Sequence, residues 1–212
     1  MKDFAPITLA SSAPNILVVH PSLPVKSVKD LIALARARPG DLNYGSSGTG
    51  GSSHLAAELF KHMARVKIVR VPYKGSAPAL IDLLGGRVHL MFSTAAPVTP
   101  HMTSGKLRAL AVSTAQRSAF FPELPTLAAS GVPGYEAAQF TGVFTSAKAP
   151  AGMVSRLNQE MVRALGRADV KDKFLNAGVE PVASSPQQLA ATMASEYARI
   201  GRLVKEAGIR SE

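Results

Sequence analysis

The chain has 212 residues, with 24 basic and 14 acidic side chains, a net charge of +10 and no cysteine. That length suits one large domain or two small lobes, and 46% hydrophobic residues suffice for a real core. The composition excludes a disulfide framework and a thiolate metal site, and no apolar run reaches the roughly 18 residues that cross a membrane as a helix. The Lys and Arg are dispersed, in no run longer than a pair and without aromatic interleaving, which argues against nucleic acid as a partner. A field drawing small anionic solutes, or plain surface charge, fits better. The opening residues Met1 to Pro6 lack the apolar core of a signal peptide.

In chain order, residues 1–11 supply at most one strand, and Asn15–His20 is an apolar run of strand length. Ser27-Val28-Lys29-Asp30 opens a helix as a capping box with Asp in place of Glu, and Pro39-Gly40 closes it. Leu42–Gly45 is a strand, and an apolar-periodic helix runs from Leu55 through Met63. Lys67–Val71 is the next strand, followed by a turn at Pro72–Ser76 and the helix Ala79–Leu84, stopped by Gly85-Gly86. Strand Val88–Phe92 empties into Ser93–Pro97 ahead of a short helix, and Leu107–Ser113 is a further strand. This alternation predicts an α/β protein with a largely parallel sheet. From Pro122 the texture changes: a turn-rich connection leads to a strand at Gln139–Thr145, then helices at Ala151–Leu165, Val170–Asn176 and Gln188 to about Ala207.

The loop Gly45–Ser53, YGSSGTGGSS with Tyr44, carries the most chemical information. A loop of Gly, Ser and Thr ahead of a helix leaves N–H groups and hydroxyls at its positive end, where an anion is favoured. Its spacing resembles a phosphate loop, but Gly51 stands where the essential Lys belongs. A nucleophile elbow would need Gly at Thr49, and a dinucleotide fingerprint would need Gly at Ser53. What remains is a neutral anion cradle without a nucleophile or base. Pro72–Ser76 and Ser93–Pro97 also follow strands, and such carboxyl ends are where open α/β sheets bind ligands.

No catalytic residue, metal ligand or cofactor is expected. His54, in the first turn of the cradle helix, is a further ligand candidate, or a local backbone partner. His20, His62, His89 and His101 lie one per element without metal-ligand spacing. Asp82 and Glu58 sit on separate helices and read as surface charges rather than an acid–base pair. The methionines suit core filling.

The stretches LNYGSSGTGGSSHLAAELF, VPYKGSAPALIDLLGGRVHLMF, GKLRALAVST and FPELPTLAASGVPGYE resemble the periplasmic solute receptors of tripartite tricarboxylate transporters, the Bug family, over residues 3 to 210. The resemblance implies a periplasmic-binding-protein-like (type II) two-lobe fold that binds a small carboxylated metabolite without chemistry and delivers it to a membrane permease. It implies a periplasmic location, although this chain shows no leader. It further implies that residues 12–134 form lobe two, while 1–11 and 135–212 form a partial lobe one lacking the family's first βαβ-rich segment.

On this resemblance Ser46, Ser47, Gly48 and Thr49 donate backbone and hydroxyl bonds to a mono- or dicarboxylate. Ser53 contributes its hydroxyl or caps the helix. Ser93, Thr94, Ala95 and Ala96 offer donors from the facing side, and Tyr73 walls the cleft or donates its phenol. Lys74 pairs with solute charge or is simply solvated. Two alternatives stay open: a truncated, non-binding fragment that forms a homodimer through its incomplete lobe, and an enzyme acting on an anionic substrate.

Overall fold

The computed structural model describes residues 2–209. Its elements in chain order are strands β1 (Phe4–Ala13) and β2 (Asn15–Val19), helix α1 (Val28–Ala37), strand β3 (Asn43–Ser46), helix α2 (Ser52–Ala64), strand β4 (Val69–Pro72), helix α3 (Ser76–Leu84), strand β5 (Leu90–Thr94), helix α4 (Ala95–Thr103) and strand β6 (Arg108–Val112). Strand β7 (Gln139–Ser146), helices α5 (Ala151–Gly166) and α6 (Ala168–Asn176), the short strand β8 (Glu180–Pro181) and helix α7 (Pro186–Glu206) follow. They gather into two compact units. One runs to Ala13 and resumes over Gln139–Arg202; the other spans Pro14–Ala138 and takes up the chain again at Leu203. Leu203 is buried, and Glu206 reaches His62 of α2 at 3.3 Å, which ties the last turn of α7 to the second unit.

The second unit is a five-stranded sheet in the order β4-β3-β5-β2-β6. Helical alternation predicts parallel strands, and β3 is parallel to both β4 and β5. The sheet is nevertheless mixed, because β2 runs antiparallel to β5 and β6. It enters the unit at the edge where the others end, so its first residue, Asn15, lies opposite Thr94. All five residues of β2 are buried. Leu17 and Val19 face one core with α1 and α2, whereas Ile16 and Val18 face another with α3 and α4. A sheet covered on both faces reads as a continuous apolar run rather than an alternating one.

Each covering helix has a local cause. The Ser27 hydroxyl accepts the Asp30 N–H at 3.1 Å and Asp30 Oδ2 accepts the Lys26 N–H at 2.9 Å, so the cap is reciprocal. The Lys26 N–H, followed by the Ser27 hydroxyl, holds the Asp30 carboxyl below its ordinary range. Val28, Leu31, Ile32 and Ala35 then form the buried stripe of α1. Phe92 sits between Phe60 and Tyr135, with ring centroids 6.0 and 6.4 Å away. The Tyr135 hydroxyl donates to the Ala56 carbonyl at 2.8 Å and clamps the 132–137 segment onto α2.

Across α3, the Tyr73 hydroxyl donates to Asp82 Oδ2 at 2.7 Å, and Arg87 donates to Asp82 Oδ1 at 2.5 Å. Desolvation, then the bond to Asp82, pushes the Tyr73 phenol up to about 12. The Tyr73 hydroxyl, then Arg87, holds the Asp82 carboxyl below its usual value.

The first unit is an antiparallel sheet in the order β7-β1-β8. The Ser184 hydroxyl accepts the Leu9 N–H at 2.9 Å, and the buried Thr8 hydroxyl donates to the Ser184 carbonyl at 2.7 Å. Asn158 of α5 donates to the carbonyls of Ile7 and Ser184, both at 2.9 Å. The apolar stripe of α5 is largely uncovered: only Leu165 is buried there, while Met153 and Leu157 are 52% and 38% exposed.

Two expectations follow from these contacts. Phe92→Ala removes a fully buried ring and should cost about 3–5 kcal/mol in a denaturant titration. The raised Tyr73 pKa favours the protonated phenol in the folded state. That contribution is therefore complete below the unfolded value of about 10 and is lost as pH rises through about 12. The difference in ultraviolet titration between wild type and Tyr73→Phe should show a phenol ionising near 12 rather than 10.

Candidate functional site

Alternation along β3 decides what the loop after it stands on. Tyr44 packs in the core with Ala56, Ala57 and Phe60 of α2. Gly45 faces the other way, where an added Cβ would lie 3.2 Å from the Ala79 Cβ of α3. Glycine lets α3 come this close, because any side chain there would require its neighbour to give by a few tenths of an ångström. Beyond Ser46 the chain turns through Gly48 and Gly50, at φ 136° and 76°, conformations that L side chains rarely adopt. Helix α2 then opens from Gly51 without a side-chain cap.

Part of the loop is satisfied internally. The Ser53 hydroxyl accepts the Ser47 N–H at 3.1 Å and lies 2.9 Å from the Ser47 hydroxyl. Ser53 therefore acts here as the internal brace of the loop. His54, only 3% exposed, accepts the Gly50 N–H on Nδ1 at 3.0 Å. Among the described residues, the N–H groups of Gly48, Thr49 and Gly51 have no protein acceptor. These three donors lie at the opening of α2, the end of a helix at which its dipole favours negative charge.

The remaining candidates gather at the same sheet edge. Ser46 pairs with Pro72, Gly45 with Met91 and Asn15 with Thr94, so the ends of β3, β4 and β5 meet the start of β2. Thr94 is the uncapped N-cap of α4, with Ala95 buried and Ala96 exposed behind it. The Ser93 hydroxyl donates to the Thr94 carbonyl at 3.1 Å. Tyr73 reaches the edge with its ring beside Gly45, but its hydroxyl proton is directed to Asp82. Lys74 is exposed. The Ser46 side chain is fully buried, and its hydroxyl accepts from Arg70 at 2.9 Å.

Beneath the loop lies a polar layer that spacing alone did not single out. Glu58, read from sequence as a surface charge, is only 9% exposed and accepts from the Tyr44 hydroxyl at 2.5 Å and from Lys61 at 2.7 Å. Burial, followed by Glu58, pushes the Tyr44 phenol well above its ordinary value. His54, Glu58 and Arg70 line a cavity of about 190 Å³ with Ala207, Gly208 and Ile209. Among the described residues no set of three His, Asp or Glu is placed to hold a metal. Asn15 was read only as a strand residue, yet it stands at the site edge. Its Nδ2 donates to the Ala137 carbonyl at 3.2 Å, and its buried Oδ1 has no partner. The available signal was a lone amide at the head of an apolar strand.

The sequence profile described as "Tripartite tricarboxylate transporter family receptor" matches residues 1–209. Protein BugT of Bordetella pertussis is 34% identical over 99% of this chain and 64% of its own length. A UPF0065 protein from the tcbD-tcbE intergenic region of Pseudomonas sp. strain P51 is 36% identical over 97% of this chain and 61% of its own. The chain thus spans about three-fifths of these relatives. Among solved structures, R. palustris Rpa4515 with adipate is 44% identical with a TM-score of 0.89, covering 98% of this chain and 69% of that one. MatC (Rpa3494) from Rhodopseudomonas palustris with bound malate is 27% identical with a TM-score of 0.83, covering 95% and 69%. With sequence profile, relatives and fold in agreement, this chain belongs to the tripartite tricarboxylate transporter receptor family, whose members are periplasmic solute-binding proteins and not enzymes.

Proposed function

We propose that this chain binds a small mono- or dicarboxylate at the Gly48–Gly51 donors and the start of α4, and that the solute is passed to the membrane permease subunits of a tripartite tricarboxylate transporter. The observation carrying this reading is the set of three N–H groups, on Gly48, Thr49 and Gly51, without protein acceptors at the opening of α2. Such donors suit a carboxylate because each bond to it is charge-assisted. The adipate and malate held by two similar proteins support the same chemistry. Periplasmic residence of this chain is part of the proposal, as is a division of labour in which residues 12–134 carry this half of the site.

Magnitudes bound the affinity. Bonds to a charged group are worth about 1.5–3 kcal/mol each. Three of them give about 5–9 kcal/mol before an association cost of at least about 4 kcal/mol. The donors described here therefore support only weak capture, and tight capture draws on the length of the relatives that this chain does not span.

Titration of the chain with adipate and with malate, followed by calorimetry or amide chemical shifts, should give saturable binding with Kd on the order of millimolar. The neutral diamide of adipate should not bind. Absence of saturation with either acid, or equal binding of the diamide, would overturn the reading.

A second reading is self-association through the first unit, favoured by the exposure of Met153, Leu157 and Leu175 at 52%, 38% and 42%. Sedimentation velocity over a concentration series tests it. A mass that rises with concentration supports pairing, whereas a constant monomer mass removes it.

A further inference from the structure

Arg70 enters the site from the neighbouring edge strand. It lies on β4 opposite Tyr44, so its side chain stands on the face of the sheet that α2 covers. From there Nε donates to the Ser46 hydroxyl and Nη2 to the Thr49 hydroxyl, both at 2.9 Å. One acceptor is the last residue of β3; the other is three residues into the loop. A charged residue on an edge strand ordinarily keeps its head in water and guards against strand pairing. Arg70 instead turns across β3 and bridges two points of the loop with one rigid, planar group.

Building on the carboxylate-binding reading, we infer that Arg70 is the positioning residue of the cradle: its guanidinium fixes Ser46 and Thr49 together and so holds the Gly48 and Thr49 N–H groups in the geometry that receives the solute. The consequence is lower ordering cost on binding, because a loop already held in its bound shape loses less freedom when the solute arrives. The fork matters more than the charge. Lysine carries the same charge but presents a single tetrahedral ammonium, which does not reproduce two bonds at fixed separation. The internal brace, Ser53 on Ser47 and His54 on Gly50, secures the side of the loop nearer α2. Arg70 secures the side nearer β4, so the turn is held from both flanks.

The test uses the full chain in four forms: wild type, Arg70→Gln, Arg70→Lys and Thr49→Val, with Arg38→Gln at the exposed end of α1 as a charge-matched control. Native-state hydrogen exchange without ligand is read at the Ser47 and Gly50 amides, which are hydrogen-bonded within the loop, and at core amides of β2 and β5. Both Arg70 variants should exchange these loop amides about tenfold faster than wild type, with the core amides and the control unchanged. Thr49→Val removes one acceptor on an exposed side chain and should move the same amides in the same direction, which keeps the test available if an Arg70 variant does not fold. Adipate affinity should fall about tenfold in Arg70→Gln and Arg70→Lys alike. Unchanged loop exchange overturns the inference, and so does full recovery by Arg70→Lys, which would assign the effect to charge alone. If wild type binds neither adipate nor malate, the carboxylate reading falls separately, and the exchange result alone decides whether Arg70 positions the loop.

Discussion

Strand β3 has four residues and a helix against each face, so every side chain on it must meet a specific neighbour. Tyr44 fills the α2 side, and Gly45 leaves the α3 side room for Ala79. Ser46 then stands fully buried at the point where the chain leaves the sheet. An alanine at 45 would press on the Ala79 Cβ and require β3 or α3 to give by a few tenths of an ångström, just where the loop begins. The position of the cradle is therefore a packing result first and a hydrogen-bonding result second. Close-packed interiors transmit such displacements because there is little free volume to absorb them.

The loop was the most legible feature in the sequence, because Gly and Ser between a strand and a helical stripe have few other uses. Its helix begins earlier than apolar periodicity places it: α2 starts at Ser52, whereas the first apolar position is Leu55. The first turn carries Ser52, Ser53 and His54, of which Ser53 and His54 brace the loop, and such a turn has no hydrophobic signature. The role of Ser53 likewise depended on a distance, since the same hydroxyl at the same sequence offset serves a ligand or the Ser47 N–H equally well.

Strand direction and register were not legible. The reversal of β2 is set by where the chain enters the second unit, and no local pattern encodes it. That reversal brings Asn15 to the site edge. Arg70 escaped for a related reason. Val-Arg-Val-Pro reads as an ordinary edge strand until the pairing of Tyr44 with Arg70 is known. Glu58 was misread as a surface charge because its partners, Tyr44 and Lys61, lie at separations of which only the second is helical. β8, with two residues, is too short to leave a pattern.

The polar layer under the loop changes what holds the site in place. An apolar floor would fix the loop by dispersion, which is strong in sum but weakly directional. Here Tyr44 and Lys61 donate to Glu58, and His54 accepts from Gly50, so the floor is a set of directed bonds. A buried carboxylate is tolerable only when such donors compensate its lost hydration. Glu58 therefore binds the core residue Tyr44 to the helix that opens the cradle, and the loop inherits an orientation from the core. The cradle itself contains no cation among Ser46–Ser53. On the proposed carboxylate reading, the attraction for an anion would come from the backbone dipoles at the opening of α2 together with the neighbouring Arg70 guanidinium, which donates to the Ser46 and Thr49 hydroxyls.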